Sequence, residues 1–482
     1  MNLSRSIPEE QGVKSQVIVD FLMKIKEENH ELHSFMLLKN DKVISECWWE
    51  PYAPQCRHPL YSLTKSFTST AIGIAVNEGF FTVDTLVADI FKNEMDELGG
   101  HFDEKMKKMT VRNLLTMSTG MEYENWDGDN NIKNFLSSHI KNEPGSVYFY
   151  HNLASHMQSA IITKCTGQKL VEYLMPRLFE PLGIEPCWAE DNTGVNLGYN
   201  GLNLTTEDIA KFGQLYLQKG KWGDRQLIPE SWVNEATSKQ INNGDDPSSD
   251  WTQGYGYQFT MCRPDGIYKS DGAFGQFCIV MPNENAVIAI TSTIYDSTQR
   301  ILDLIWEILL PALRENHTPS EDKASHNKLL QIQNGLSYLK INENAPNFPK
   351  MRGYYKNEKP DNRIISSVYI DFNENDGILA LIDSDKTECI YRFEKGKWVD
   401  NASAVISELK GTSEFLRTKM YGEWNADENV LDFTVWQYET LFKSAMRLKF
   451  NADKTKAALM LWCDGEVNIA LEFVKGSNLG YK

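Results

Sequence analysis

Residues 58–79 read HPLYSLTKSFTSTAIGIAVNEG. In the second half Ala71, Ile72, Ile74, Ala75 and Val76 are apolar almost all round, and Gly79 is a natural C-terminal cap. That pattern predicts a helix bound for a core. The first half carries Ser62 at the helix start and Lys65 three residues later, on the same face. A hydroxyl in the first turn lies beside unpaired N–H groups and the positive end of the helix dipole. An amine one turn deeper, once desolvated, moves toward a range where it can accept a proton. The stretch therefore offers a serine nucleophile with an adjacent base.

Ser-x-x-Lys is a cheap pattern. It recurs at Ser138/Lys141, Ser320/Lys323, Ser325/Lys328, Ser337/Lys340 and Ser407/Lys410. Taken alone it reads equally well as an N-cap followed by a snorkelling surface lysine. Two features set Ser62 apart. Its helix alone continues into a run that must be buried, so there Lys65 loses its water. Ser66, Thr68, Ser69 and Thr70 also keep that part of the helix small, which allows close packing.

On either side lie a helix pattern over Gln16–Glu28 and two apolar runs around Asn40-Asp41, residues that tolerate the positive φ of a tight hairpin. Short helices and loops fill Thr85–Val195. QFCIVM and AVIAITS then flank PNEN as a second hairpin, followed by the apolar-striped helix STQRILDLIWEILLPALREN. The economical fold is α+β: one antiparallel sheet built from both ends of this region, flanked by helices, with a helical subdomain inserted. The expected domains are 1–315, a polar linker over 316–349 with one weakly amphipathic helix, and a small all-β domain over 350–482. The last reading rests on SSVYIDF, GILALID, IYRFEKGKWVD, LDFTVWQY and AALMLWCD, short strand-like runs separated by Asn, Asp and Gly.

At 482 residues the chain is too long for one core. A net charge of -17 argues against nucleic-acid and anionic-membrane partners, although pocket charge is local. The opening MNLSRSIPEEQGVKSQ lacks the apolar stretch of a signal peptide, and no run reaches the roughly eighteen apolar residues of a membrane span. Eight cysteines, scattered from Cys47 to Cys463 without a CxxC pair, read as free thiols. A cytoplasmic location is expected. Gly-x-Ser-x-Gly and His-Glu-x-x-His are both missing, and GYGYQ lacks the third glycine of a dinucleotide loop.

A serine–lysine pair needs a group that passes a proton to the leaving group, and a tyrosine near a cation can do this. Tyr150-His151-Asn152 supplies one, where a Pro-Gly turn and an aromatic run lead into a helix ending at Gly167. Tyr-x-Asn also occurs at Tyr123/Asn125 and Tyr355/Asn357, and a core aromatic is the plain reading of Tyr150 alone. A third element would be a strand edge offering a backbone N–H to an oxyanion. KSDGAFGQFCIVM places Gly272 and Gly275 at a strand mouth, where glycine permits close approach of a ligand or simply makes a turn.

In this order the three pieces resemble the serine β-lactamase and penicillin-binding-protein superfamily, in particular the class C β-lactamase-like group of esterases and D-amino-acid peptidases. LLTMSTGM, GLNLTTEDIAKFGQLYLQKGKWGDRQLIPESWVNEAT, GYGYQF and DGAFGQF extend the resemblance over about residues 5 to 315. It implies a β-lactamase/transpeptidase-like fold with Ser62 as acyl-accepting nucleophile. Lys65 and Tyr150 would share acid and base duty, and Asn152 would hydrogen-bond the substrate's acyl side. The N–H groups of Ser62 and Ala273, next to Gly272, would form the oxyanion hole, with no metal or organic cofactor. MRGYYKN and MYGEWNADENVLDFTVW are similar to strands of a lipocalin-like barrel that some members carry.

One departure bears on substrate. Where the group usually has Lys-Thr-Gly, this chain reads Ser270-Asp271-Gly272, with Lys269 one place early. An acidic Asp271 beside the oxyanion strand is expected to disfavour an anionic group and favour a cationic one such as a free amine. The expected function is hydrolysis of small esters, amides or short peptides through an acyl-enzyme. The alternatives are a β-lactamase or D-Ala-D-Ala carboxypeptidase, and a non-catalytic binding protein on the same fold.

Overall fold

Helix Thr64–Asn77 is buried from Thr64 to Ala75 and runs through the centre of the larger of two compact units. The structure is a computed structural model. It describes residues 3–126, 130–315, 322–339, 341–342, 344–357, 365–383, 386, 388–404, 415–438, 443–463 and 466–476. The larger unit comprises residues 1–49 and 57–336, and the smaller comprises 50–56 and 337–482.

The larger unit holds a seven-stranded sheet among the described residues. Its order is Ser4–Arg5, Lys42–Trp48, Leu32–Lys39, Ala286–Ser292, Gln276–Met281, Tyr268–Gly272, Thr260–Met261. All neighbours are antiparallel except the first pair, which is parallel. Both expected hairpins form. Asn40 and Asp41 turn the first with φ of 51° and 62°, and Asn285 helps turn the second with φ of 46°. The strand from the N-terminal hairpin pairs with the late one, Leu37 opposite Ile288 and Leu38 opposite Val287, so the two ends of this region close one sheet.

Both faces of the central strands are buried, which is why they read as apolar runs rather than alternating ones. Met36, Leu38, Cys278, Val280, Val287 and Ala289 join the cluster of the helical side. There Phe67 stacks on Phe212 with centroids 3.8 Å apart. A Cβ on Gly213 would sit 2.6 Å from Val287 Cγ1, so helix Thr206–Leu217 rides on the sheet at glycine distance. On the other face Phe35 meets Phe21 of helix Ser15–Glu27, centroids 5.1 Å apart.

The segment expected as a linker differs. Helix Lys323–Asn334 belongs to the larger unit. Ser325 Oγ donates to Gln16 Oε1, Gln333 Nε2 donates to Ser45 Oγ, and Leu329 is buried. Its apolar stripe comes down to that one buried residue, too little to mark a packed helix in sequence. Residues 316–321, 340 and 343 of the expected linker lie outside the described residues.

Among its described residues the smaller unit is a nearly closed, all-antiparallel sheet of ten strands from Met351–Asn357 to Glu466–Lys475. Its inward residues, among them Tyr355, Val368, Leu379, Phe393, Leu431, Leu448 and Leu459, form a separate core. Alternation is visible in Glu388–Glu394, where Cys389, Tyr391 and Phe393 point in and their neighbours stay wet.

Candidate active site

Ser62 lies in a single 3-10 turn, Tyr61–Leu63, that runs straight into helix Thr64–Asn77. Tyr61 has φ of 48°, rare for a bulky residue, and its ring is held edge-on against Phe274 at 5.3 Å. The small residues that follow do more than save space. Ser66 Oγ donates to Gln258 O, Thr68 Oγ1 to Gly198 O and Ser69 Oγ to Tyr257 O, so the helix pins two loops around the site.

Lys65 is 2 % exposed. Its Nζ lies 2.9 Å from Ser62 Oγ, 2.8 Å from Asn152 Oδ1 and 3.0 Å from Tyr199 O. Burial pushes the amine down to about 7, and the carboxylates of Glu124 and Asp271 partly oppose that fall. Tyr150 lines the same cleft, with Lys65 Nζ 4.7 Å from its ring centroid. The residue keeps 40 % of its surface exposed, but its hydroxyl lies within the influence of Ser62, and desolvation holds the phenol above its ordinary value. At neutral pH the tyrosine therefore keeps its proton.

Asn152 opens helix Asn152–Thr166, and His151 caps it by accepting the Ala154 N–H on Nδ1. Burial pushes His151 down to about 4, so the imidazole stays neutral. Glu124, which the motifs did not disclose, accepts from Asn152 N, from Asn152 Nδ2 at 3.2 Å and from Trp126 Nε1 at 3.0 Å. A carboxylate at a helix N-terminus is favoured electrostatically. By taking the amide nitrogen, it leaves Asn152 Oδ1 to face Lys65.

Strand Tyr268–Gly272 carries the third element. Gly272 and Ala273 line a cleft of about 440 Å³ together with Ser62, Lys65 and Tyr150. The glycine serves the protein's own backbone. A Cβ on Gly272 would fall 2.1 Å from Leu60 O, so its bareness brings this strand against the Ser62 turn. Lys269 and Asp271, two apart on the strand, share one face. Lys269 Nζ lies 2.7 Å from Asp271 Oδ1. Asp271 is thus not the free negative charge that its place in the sequence suggested; the preceding lysine balances it.

The two other Ser-x-x-Lys pairs that lie wholly among the described residues lack this geometry. Ser138 Oγ donates to Asn134 O while Lys141 pairs with Glu122 at the surface, and Lys328 is exposed. Ser320, Lys340, Ser407 and Lys410 lie outside the described residues.

A helix-flanked antiparallel sheet with a helical insertion, and a serine–lysine–tyrosine cluster where helix meets strand, together make the arrangement of the β-lactamase superfamily. The beta-lactamase family model matches residues 33–312, and the chain belongs to that family. 6-Aminohexanoate-dimer hydrolase of Paenarthrobacter ureafaciens is 24% identical over 225 residues, 42% of this chain and 55% of that protein. Penicillin-binding protein 4 of Amycolatopsis lactamdurans is 22% identical over 289 residues, 52% of this chain and 75% of that one. The chain thus covers about half the length of the first relative. The octameric penicillin-binding-protein homologue of Pyrococcus abyssi shares the fold with a TM-score of 0.50 at 15% identity, covering 95% of this chain and 99% of that one. Among the described residues no helix is long and apolar enough to cross a membrane.

Proposed function

We propose that this protein hydrolyses small esters, amides or short peptides through an acyl-enzyme on Ser62. The hydrogen-bond set of Lys65 carries the reading. A charged ammonium has three hydrogens and a neutral amine two. Asn152 Oδ1 and the Tyr199 carbonyl can only accept, so a neutral Lys65 gives its two hydrogens to them. Its lone pair is then left for the third partner, Ser62 Oγ. With a pKa of about 7, that form is well populated at neutral pH.

Ser62 Oγ attacks the acyl carbon and passes its proton to Lys65. The oxyanion is received by the N–H groups of Ser62 and Ala273. Collapse breaks the bond to the leaving group, which takes a proton from the Tyr150 hydroxyl, and Lys65 returns a proton to the phenolate. Water then attacks the ester by the same route and frees Ser62. Incubation with a fluorophosphonate is expected to add one phosphonyl mass to the peptide containing Ser62. No adduct with a fluorophosphonate or a β-lactam would favour a binding protein on this fold.

Glu124 acts in this scheme as a positioning residue that sets the orientation of the Asn152 amide. The charged or titratable groups around Lys65 and Glu124 are Asp271, Tyr150, Tyr199 and His151, the last with Nδ1 3.8 Å from Glu124 Oε1. Glu124→Gln removes one of two carboxylates that raise Lys65, so the acidic limb of kcat/KM should move below about 7. Loosening of Asn152 should also lower kcat by up to about 10²-fold. A lower kcat with an unmoved limb would reduce Glu124 to structural support.

A further inference from the structure

The cleft's charges are all spoken for. Its cationic lining residues are Lys65 and Lys269, and its carboxylate is Asp271. Lys65 is held by Ser62, Asn152 and Tyr199. Lys269 is fully buried and ion-paired to Asp271, whose side chain is 19% exposed. The ammonium also rests 4.2 Å above the Trp251 ring. Asp271 is fixed from three directions: Lys269 and Thr260 Oγ1, at 3.3 Å, reach one oxygen, and Trp251 Nε1, at 2.8 Å, reaches the other. Much of the remaining wall is aromatic, including Tyr148, Tyr255 and Phe274.

We infer that this cleft selects uncharged acyl substrates with an apolar or aromatic flank, and that the Lys269–Asp271 pair sets that choice by cancelling both charges facing the cleft. A carboxylate entering here finds no cation that is not already bonded. A cationic group finds a carboxylate whose field is offset at 2.7 Å. Exposing either charge means breaking the pair, and a buried ion left alone is strongly disfavoured. The strand register makes the cancellation local, because positions 269 and 271 lie on one face while Ser270 turns away to donate to Ser66 Oγ.

The inference deepens the acyl-transfer reading and rests on it. The test uses matched nitrophenyl esters whose acyl chains end in methyl, carboxylate or trimethylammonium. The parent should prefer the methyl-ended ester to both charged ones. Asp271→Ser uncovers Lys269 and should raise the carboxylate-to-methyl ratio of kcat/KM about tenfold or more. Lys269→Met uncovers Asp271 and should raise the trimethylammonium-to-methyl ratio instead. Opposite movements in two variants cannot come from a general loss of fold. Binding of the corresponding amides to Ser62→Ala protein should show the same ratios without turnover. A parent that prefers a charged chain, or ratios that stay within about twofold in both variants, overturns the inference. Missing turnover of every ester would overturn the acyl-transfer reading instead, while the binding ratios would still decide this one.

Discussion

Ser62→Ala is expected to lower kcat on a chromogenic short-chain ester by about 10⁶-fold, the loss that follows removal of a serine nucleophile from a cooperating set. The fold should survive. Ser62 Oγ is hydrogen-bonded to Lys65, and after truncation Lys65 keeps Asn152 Oδ1 and the Tyr199 carbonyl. Far-ultraviolet circular dichroism and the denaturation midpoint should therefore match the parent closely, and fluorophosphonate labelling should vanish. A drop of only a few-fold would mean that another nucleophile carries the reaction. Tyr150→Phe would not give so clean an answer, because it removes a proton donor and a polar neighbour of Ser62 together.

The contact of Ser62 with a buried Lys65 was legible because one physical condition singled it out. Of six Ser-x-x-Lys matches, Ser62–Lys65 leads into a helix that stays buried for most of its length. A lysine at the head of such a helix loses its water. Tyr150 and Asn152 were legible as a second element in the right order along the chain. Glu124 was not, since it lies in a loop 28 residues before its partner Asn152 and looks like any surface acid. Its one local sign is the aromatic setting of Tyr123 and Trp126. Tyr199 was hidden for a different reason. It contributes a backbone carbonyl, and no side-chain pattern encodes that.

Gly272 and Asp271 show the same limit at the third element. Both were read for what a ligand would meet. In the fold each first answers a neighbour in the chain, Leu60 O for the glycine and Lys269 for the aspartate. Contacts of this kind depend on which strand face meets which turn, and that is set by sheet register. Two readable hairpins set the register of Leu32–Lys39 on Lys42–Trp48 and of Gln276–Met281 on Ala286–Ser292, but not that of Tyr268–Gly272, so the sheet was foreseeable while the side-chain partners at its third element were not.

Lys65→Met should remove activity and reveal what burying the amine costs the fold. Turnover should fall by about 10⁴-fold or more, since the variant has no base beside Ser62. Stability should move with pH in a defined direction. Lys65 titrates near 10.5 when unfolded and near 7 when folded. Between those values the unfolded chain binds a proton that the folded chain does not, so parent stability rises with pH across this window. Below about 7 both states hold the proton, and the fold bears the full penalty of a buried ammonium, on the order of a few kcal/mol. Methionine carries no such penalty. It does leave Asn152 Oδ1 and the Tyr199 carbonyl without their donor, which offsets part of the gain. That offset does not titrate, and other ionisable groups are common to both proteins. The stability difference, variant minus parent, should therefore be largest below about pH 7 and shrink toward about pH 10, read from denaturant unfolding at several pH values. A difference that is flat or grows with pH would mean that Lys65 stays charged in the fold, and a charged lysine cannot take the Ser62 proton.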